Sequence, residues 1–306
     1  MSAPVRHRRF AISLAGILLV TLPLCAFEVP GSASKSKAPD SWSVSYKPLR
    51  VVNGSPIAFH VVSPEPLKSL VGKWLEHEVF FSSDSQGKVW CGLAGASLET
   101  RAGNHSLELK GVTTAGKDLS SQKQIAVGKG KYHSIAASVP KQYTEPNAEQ
   151  LQKIDQDKAL KERAFAHVTP EREWAGSFHP SVKAQISDVF GTSRTFNGKV
   201  QSVHQGLDYA VPEGTPVAAV NSGTVLLAQP LFFEGNCVML DHGQGLLTLY
   251  MHLSKIEVKE GDRVTSGQRI GVSGGTGRAT GPHLHVAVRW QGVYLNPETL
   301  LGLQLP

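Results

Sequence analysis

The apolar positions of this 306-residue chain fall into short runs and not into long helical stripes. In the first half, residues 57–62 (Ile-Ala-Phe-His-Val-Val), 78–81 (Glu-Val-Phe-Phe) and 107–109 (Leu-Glu-Leu) read as strands. Turn signals at Asn53-Gly54, Gln86-Gly87 and 102–104 separate them. Regular alternation of short strands and turns predicts a small β-sandwich over 34–135. From Trp174 onward, glycine returns at short intervals between Val/Leu runs at 217–220, 224–228, 238–240 and 246–250. No segment there has helical length and period, so 174–306 is predicted to be a second β-rich domain. Between the two, Pro146-Asn147 marks a helix start and Pro170 a stop, with Leu151, Ile154, Leu160 and Phe165 set among charges. Residues 136–173 therefore read as a helical linker, solvated and without chemistry of its own. The fold class is mainly β.

Composition narrows the class. At 41% hydrophobic and 18% charged, the chain suits a folded globular protein and not a coiled coil or a disordered polymer. The N-terminus changes how the net charge of +6 is read. Arg6, Arg8 and Arg9 precede an uncharged apolar run from Phe10 to Phe27, followed by small residues, and then a Ser/Lys/Pro-rich tether. Residues 1–33 are read as a secretory signal peptide, or a retained signal anchor, with the start of the tether. Three of the six net positive charges belong to that segment. The remaining excess is modest, and no Lys/Arg-rich block follows, so nucleic acid is not an expected partner. A membrane is one only if the N-terminal segment is retained. Export places the chain in the periplasm or cell envelope, where disulfides form. Even so, Cys91 and Cys237 are read as two small apolar residues and not as a pair.

The candidate chemistry lies in the histidines. Of 12 in the chain, five fall between His204 and His285. His60, His77 and His105 have no ligand-like spacing. His204-Gln205-Gly206-Leu207-Asp208 and His283-Leu284-His285 do. Residues two apart in a strand share a face, so His283 and His285 can reach one site. His204 and Asp208 would stand roughly 13 Å apart in a straight strand, so a bend is required, for which Gly206 offers backbone freedom. Two His and one Asp make an open zinc site suited to activating water. Spacing alone leaves open which three of His204, Asp208, His283 and His285 bind the metal. His242, in a turn-like Asp-His-Gly, is read as structural.

These segments, with 190–198, 202–210, 214–217, Asp241-His242-Gly243, 249–254, 261–264 and 276–285, resemble the M23 zinc metallopeptidases, the lysostaphin or LytM type. The resemblance covers roughly Trp174 to Leu301, with no departure at a metal or catalytic position. The first half resembles, more loosely, the sandwich found ahead of such domains. The resemblance implies a duplicated-hybrid-motif-like peptidase domain with Zn2+ held by His204, Asp208 and His285. It also implies that His252 and His283 are catalytic groups beside the metal. Arg194 and Asn197 are candidates for substrate contact or for holding the nearby loop, with Asn197 taken as the substrate residue. The implied function is an exported endopeptidase that cuts peptidoglycan cross-links through a zinc-activated water, with the D-alanyl–meso-diaminopimelate bond as the expected target. A glycine-rich bridge or another protein is a different possible target. The alternative, a non-catalytic LytM-like regulator of other cell-wall hydrolases, goes with loss of zinc ligands, and here the whole set is present.

Overall fold

A computed structural model describes residues 41–306; the signal-peptide reading of 1–33 lies outside the described residues. Among the described residues the architecture is mainly β, with one long helix. The first eight strands form a sandwich in which His77–Ser83 changes partner part-way, pairing with Leu67–Trp74 at one end and with Val89–Gly95 at the other. Its interior is closed by Trp74, Phe59, Ile57, Leu107, Leu109 and Ile125, all essentially without solvent contact. The strands are longer than the apolar runs suggest. Residues 107–109, for example, are the middle of Gly103–Thr113. The strand Asp118–Gly128 is polar along most of its length and has few buried positions, which left it without an apolar signature.

The second sheet has ten strands, with Gly206–Tyr209, Leu284–Trp290, Leu246–Ile256, Gly235–Asp241 and Gly223–Leu231 adjacent in that order. One core of buried apolar residues runs through both sheets. Polar ties cross between them as well: Asn296 N–H donates to Gly54 O (2.8 Å) and Gln291 Nε2 donates to Glu78 O (2.6 Å).

The helix is Ala148–Ala166, started by an Asn147/Gln150 capping box. It is not solvated. Leu160, Ala164 and Phe165 pack on a cluster made by Leu227, Leu231, Met239, Leu247 and Leu249, on the face of the second sheet away from the main core. Arg289 lies over the Phe165 ring at 3.8 Å. Buried Asp157 accepts from Phe232 N–H (2.7 Å). The apolar residues facing the sheet are too few among the charges for the sequence to show a docked stripe. Ahead of the helix, Ser134–Ala137 pairs in parallel with Ser193–Phe196. The segment continues past Tyr143, whose ring packs against Phe232 at 5.3 Å. Among the described residues, no helix is long and apolar enough to cross a membrane. Cys91 and Cys237 are both free, and Cys237 is wholly buried.

His242 takes a core position. Its Nδ1–H donates to Ser222 O (2.6 Å), so Nε2 accepts from the Thr248 hydroxyl (2.7 Å). Burial lowers its pKa from 6.5 to about 4. The fold therefore keeps this ring neutral, while the unfolded chain protonates it below about pH 6.5. Stability should fall as pH drops through that window to about 4, by roughly 1.4 kcal/mol per pH unit for this one group. Urea unfolding of wild type and His242→Gln across the window checks this. The variant's stability should decline less steeply, by about one proton, and equal slopes would contradict the assignment.

Candidate metal centre

Register brings the first two groups together. Asp208 in Gly206–Tyr209 is the antiparallel partner of His285 in Leu284–Trp290, and side chains of such partners lie on one face. His204 precedes this strand across a short break at 204–205 that follows Val200–Val203. The bend is made there, and the backbone freedom expected of Gly206 is not used, since its φ is not left-handed. Its missing side chain matters instead. A Cβ at Gly206 would come within 2.3 Å of His285 Nε2, so only glycine admits the ring.

The result is a buried triangle of donor atoms. His204 Nε2 lies 3.0 Å from Asp208 Oδ1 and 3.0 Å from His285 Nδ1, and His285 Nδ1 lies 2.7 Å from Asp208 Oδ1. Among the described residues, these three make up a group able to hold a metal ion. Tautomer chemistry fits a cation. His204 Nδ1 is 2.8 Å from the Val189 carbonyl oxygen, which only accepts, so Nδ1 carries the proton. In the neutral ring, Nε2 then turns a lone pair towards a carboxylate oxygen. Those two groups repel unless a positive charge lies between them. The edges are slightly tighter than the roughly 3.3 Å expected for tetrahedral coordination with bonds near 2 Å. A backbone carbonyl fixing the far nitrogen is also how metal-ligating histidines are usually held.

The second oxygen of Asp208 is taken by Arg194, whose Nη2 donates to Oδ2 (2.5 Å). Arg194 is itself held by Asp188 through Nε (2.8 Å) and Nη2 (2.6 Å). This Asp188–Arg194–Asp208 chain turns Oδ1 towards the two imidazoles. Burial would push the Asp208 carboxyl up, but the polar groups packed around it outweigh that and hold it well below the usual carboxylate range. Burial pushes the His285 imidazole down.

Two further histidines stand beside the triangle. His283 Nε2 lies 3.8 Å from Asp208 Oδ1, and its Nδ1–H donates to Gly281 O (2.8 Å). The His252 ring is 4.7 Å from that of His283 and 6.0 Å from that of His285, centroid to centroid. Met251 is the register partner of His285, so regular pleating would turn His252 to the opposite face. A left-handed backbone at His252 (φ 62°) breaks the pleat, and Thr276 O accepts from its Nδ1–H (2.8 Å). Burial, then the neighbouring His283 and His285, lowers its pKa to about 3, so this ring is neutral. In the neutral form both rings take the same tautomer, with Nδ1–H tied to a backbone carbonyl and the lone pair on Nε2.

A cleft runs past these groups in two adjoining cavities. One is lined by His204, His252 and His285, the other by Asp208 and His283, and Arg194, Phe196 and Arg278 border both. Ile135 and Ala137 of the segment ahead of the helix line the second. Asn197 lines neither. Its amide donates to Val139 O (2.9 Å) and accepts from Val139 N–H (3.0 Å), which fixes the incoming chain. Asp188 was not legible as part of the site, because an Asp six residues ahead of an Arg is no recognisable signal.

Two imidazoles and a carboxylate around one point, with two further imidazoles in an open cleft, form a donor set able to hold a metal ion on a β scaffold. Residues 202–297, about a third of the chain, match the model of Peptidase family M23. The peptidoglycan DD-endopeptidase ShyA of Vibrio cholerae is 38% identical over 156 residues, 51% of this chain and 32% of that protein. The DD-carboxypeptidase/endopeptidase Mpg of Neisseria meningitidis (strain MC58) is 41% identical over 124 residues, 40% of this chain and 29% of that protein. The match spans about a third or less of the length of such curated relatives. A solved structure described as an M23 peptidase from Pseudomonas aeruginosa aligns with 83% of this chain and 96% of its own, at a TM-score of 0.63 and 28% identity.

Proposed function

We propose that the chain is a zinc-dependent endopeptidase that hydrolyses peptide cross-links of peptidoglycan in the cell envelope. The observation that carries this reading is the His204–Asp208–His285 triangle, buried but open to a cleft, with two further imidazoles beside it. An N,N,O donor set with no sulfur suits a catalytic zinc and leaves positions for water and substrate. The chemistry a zinc ion supplies when bound there is Lewis acidity, which polarises a carbonyl and lowers the pKa of water.

The chain's own residues do the rest. Arg194 holds Asp208 so that one carboxylate oxygen faces the site. His252 and His283, with Nδ1–H tied to backbone carbonyls, offer Nε2 as proton acceptor from the attacking water. Once protonated, that nitrogen hydrogen-bonds the oxyanion while keeping its proton, and then transfers the proton to the leaving amine. The peptidoglycan substrate is supported by the similarity to ShyA and ShyC, the peptidoglycan DD-endopeptidases of Vibrio cholerae. An envelope location follows from that substrate.

The test is release of soluble muropeptides from purified sacculi by the zinc-loaded protein. Release should stop with a chelator and return with added zinc. Zinc-loaded protein that releases nothing, yet stimulates another wall hydrolase, would establish the regulatory alternative instead.

A further inference from the structure

Two guanidinium groups border both cavities of the cleft, and their situations differ. Arg194 is committed to Asp188 and Asp208. Arg278 is held by aromatic rings: its guanidinium carbon lies 4.8 Å from the centroid of Phe196 and 4.7 Å from that of Phe233. Its backbone N–H donates to Phe233 O (2.8 Å), which anchors the base of the side chain against the same wall. Among the described residues, no carboxylate pairs with it. Glu234, the acid whose charge reaches it, is already paired with Lys161.

This arrangement is costly for a cation unless an anion visits it. The group is half-buried, and Glu234 attracts it more than Arg194 repels it, without pairing its donors. Two ring faces offset part of that cost, but they leave the edge N–H donors of the fork unmatched. A guanidinium clamped in one plane has little rotamer freedom left to lose, and its paired donors match the two oxygens of a carboxylate. Its place is also telling. The cavity on one side contains His204, His252 and His285, and the cavity on the other contains Asp208 and His283. An anion bound here sits next to the amide being cut.

We propose that Arg278 is a specificity-determining residue that binds, as a bidentate pair, a free carboxylate carried by the substrate peptide beside the scissile amide. The site then selects acidic peptides over their amidated forms. The inference rests on the peptidase reading above.

The test uses a reduced-amide peptide, in which the scissile CO–NH is replaced by CH2–NH, so that binding is read without turnover. It is made in two forms, one with the neighbouring carboxylate free and one with it as a carboxamide. Calorimetry with the zinc-loaded full chain should show the carboxylate form bound about 10- to 100-fold more tightly, as expected for a charge-assisted pair. In Arg278→Met that ratio should collapse to about one, and Arg278→Lys, which keeps the charge but not the fork, should retain only part of it. A ratio near one in wild type, or an undiminished ratio in Arg278→Met, overturns the proposal. Sacculus hydrolysis separates the two readings. Turnover without carboxylate discrimination removes the role of Arg278 alone, whereas discrimination without turnover removes the hydrolase.

Discussion

His204→Ala is expected to lose bound zinc and hydrolysis together. Three side chains supply all the protein ligands of the proposed site, so removing one leaves two, and Asp208 then faces His285 alone. Metal content measured after dialysis should fall from about one zinc per chain to a small fraction of that. Turnover of sacculi should fall by at least about 10^3-fold, since the several kcal/mol of charge stabilisation a metal contributes is lost. The fold should survive, because His204 lies in the break between two strands and its ring packs on the site, not in the apolar core. Circular dichroism like that of wild type, together with loss of metal, would establish a ligand. Full zinc content, or full activity, in His204→Ala would remove the site assignment. Asp208→Asn should behave similarly, while also weakening the hold of Arg194 on the site.

The sequence carries most of this centre but not its geometry. His-x-His and His-x-x-x-Asp are visible as spacings, and a strand period of two already puts His283 and His285 on one side. That Asp208 lies directly across from His285 is a matter of strand register, which depends on pairing between segments almost 80 residues apart. Local pattern does not encode that. The contribution of Gly206 is hidden for the same reason: flexibility is a local property, whereas the space it leaves for His285 exists only after the strands have paired. In the fold, strands with buried apolar cores such as Gly235–Asp241 stood out. The hairpin strand Asp118–Gly128 did not, because most of its side chains face solvent. The docked helix was hidden in a similar way. Phe165 and Leu160 cover a patch of sheet that exists only in three dimensions, and the charges around them dominate the sequence.

The histidines beside the triangle should separate metal binding from turnover. His283→Ala is expected to keep about one zinc per chain, because its Nε2 stands 3.8 Å from Asp208 Oδ1 and outside the triangle. Loss of a positioned proton acceptor and donor should lower kcat by about 10²–10⁴-fold with little change in KM. His252 needs a different substitution. Its left-handed φ of 62° is tolerated by few non-glycine residues, and alanine there would add backbone strain to the loss of the imidazole. Asparagine accepts that conformation more readily, so His252→Asn tests the ring and not the backbone. It should also retain zinc and lose turnover on a comparable scale. Because the two rings lie 4.7 Å apart and face the same reacting atoms, the double variant should lose less than the product of the single effects. Wild-type kcat in His252→Asn would mean that this ring only packs against His283. Zinc loss in His283→Ala would mean that His283 belongs among the ligands and that the triangle is not the complete set.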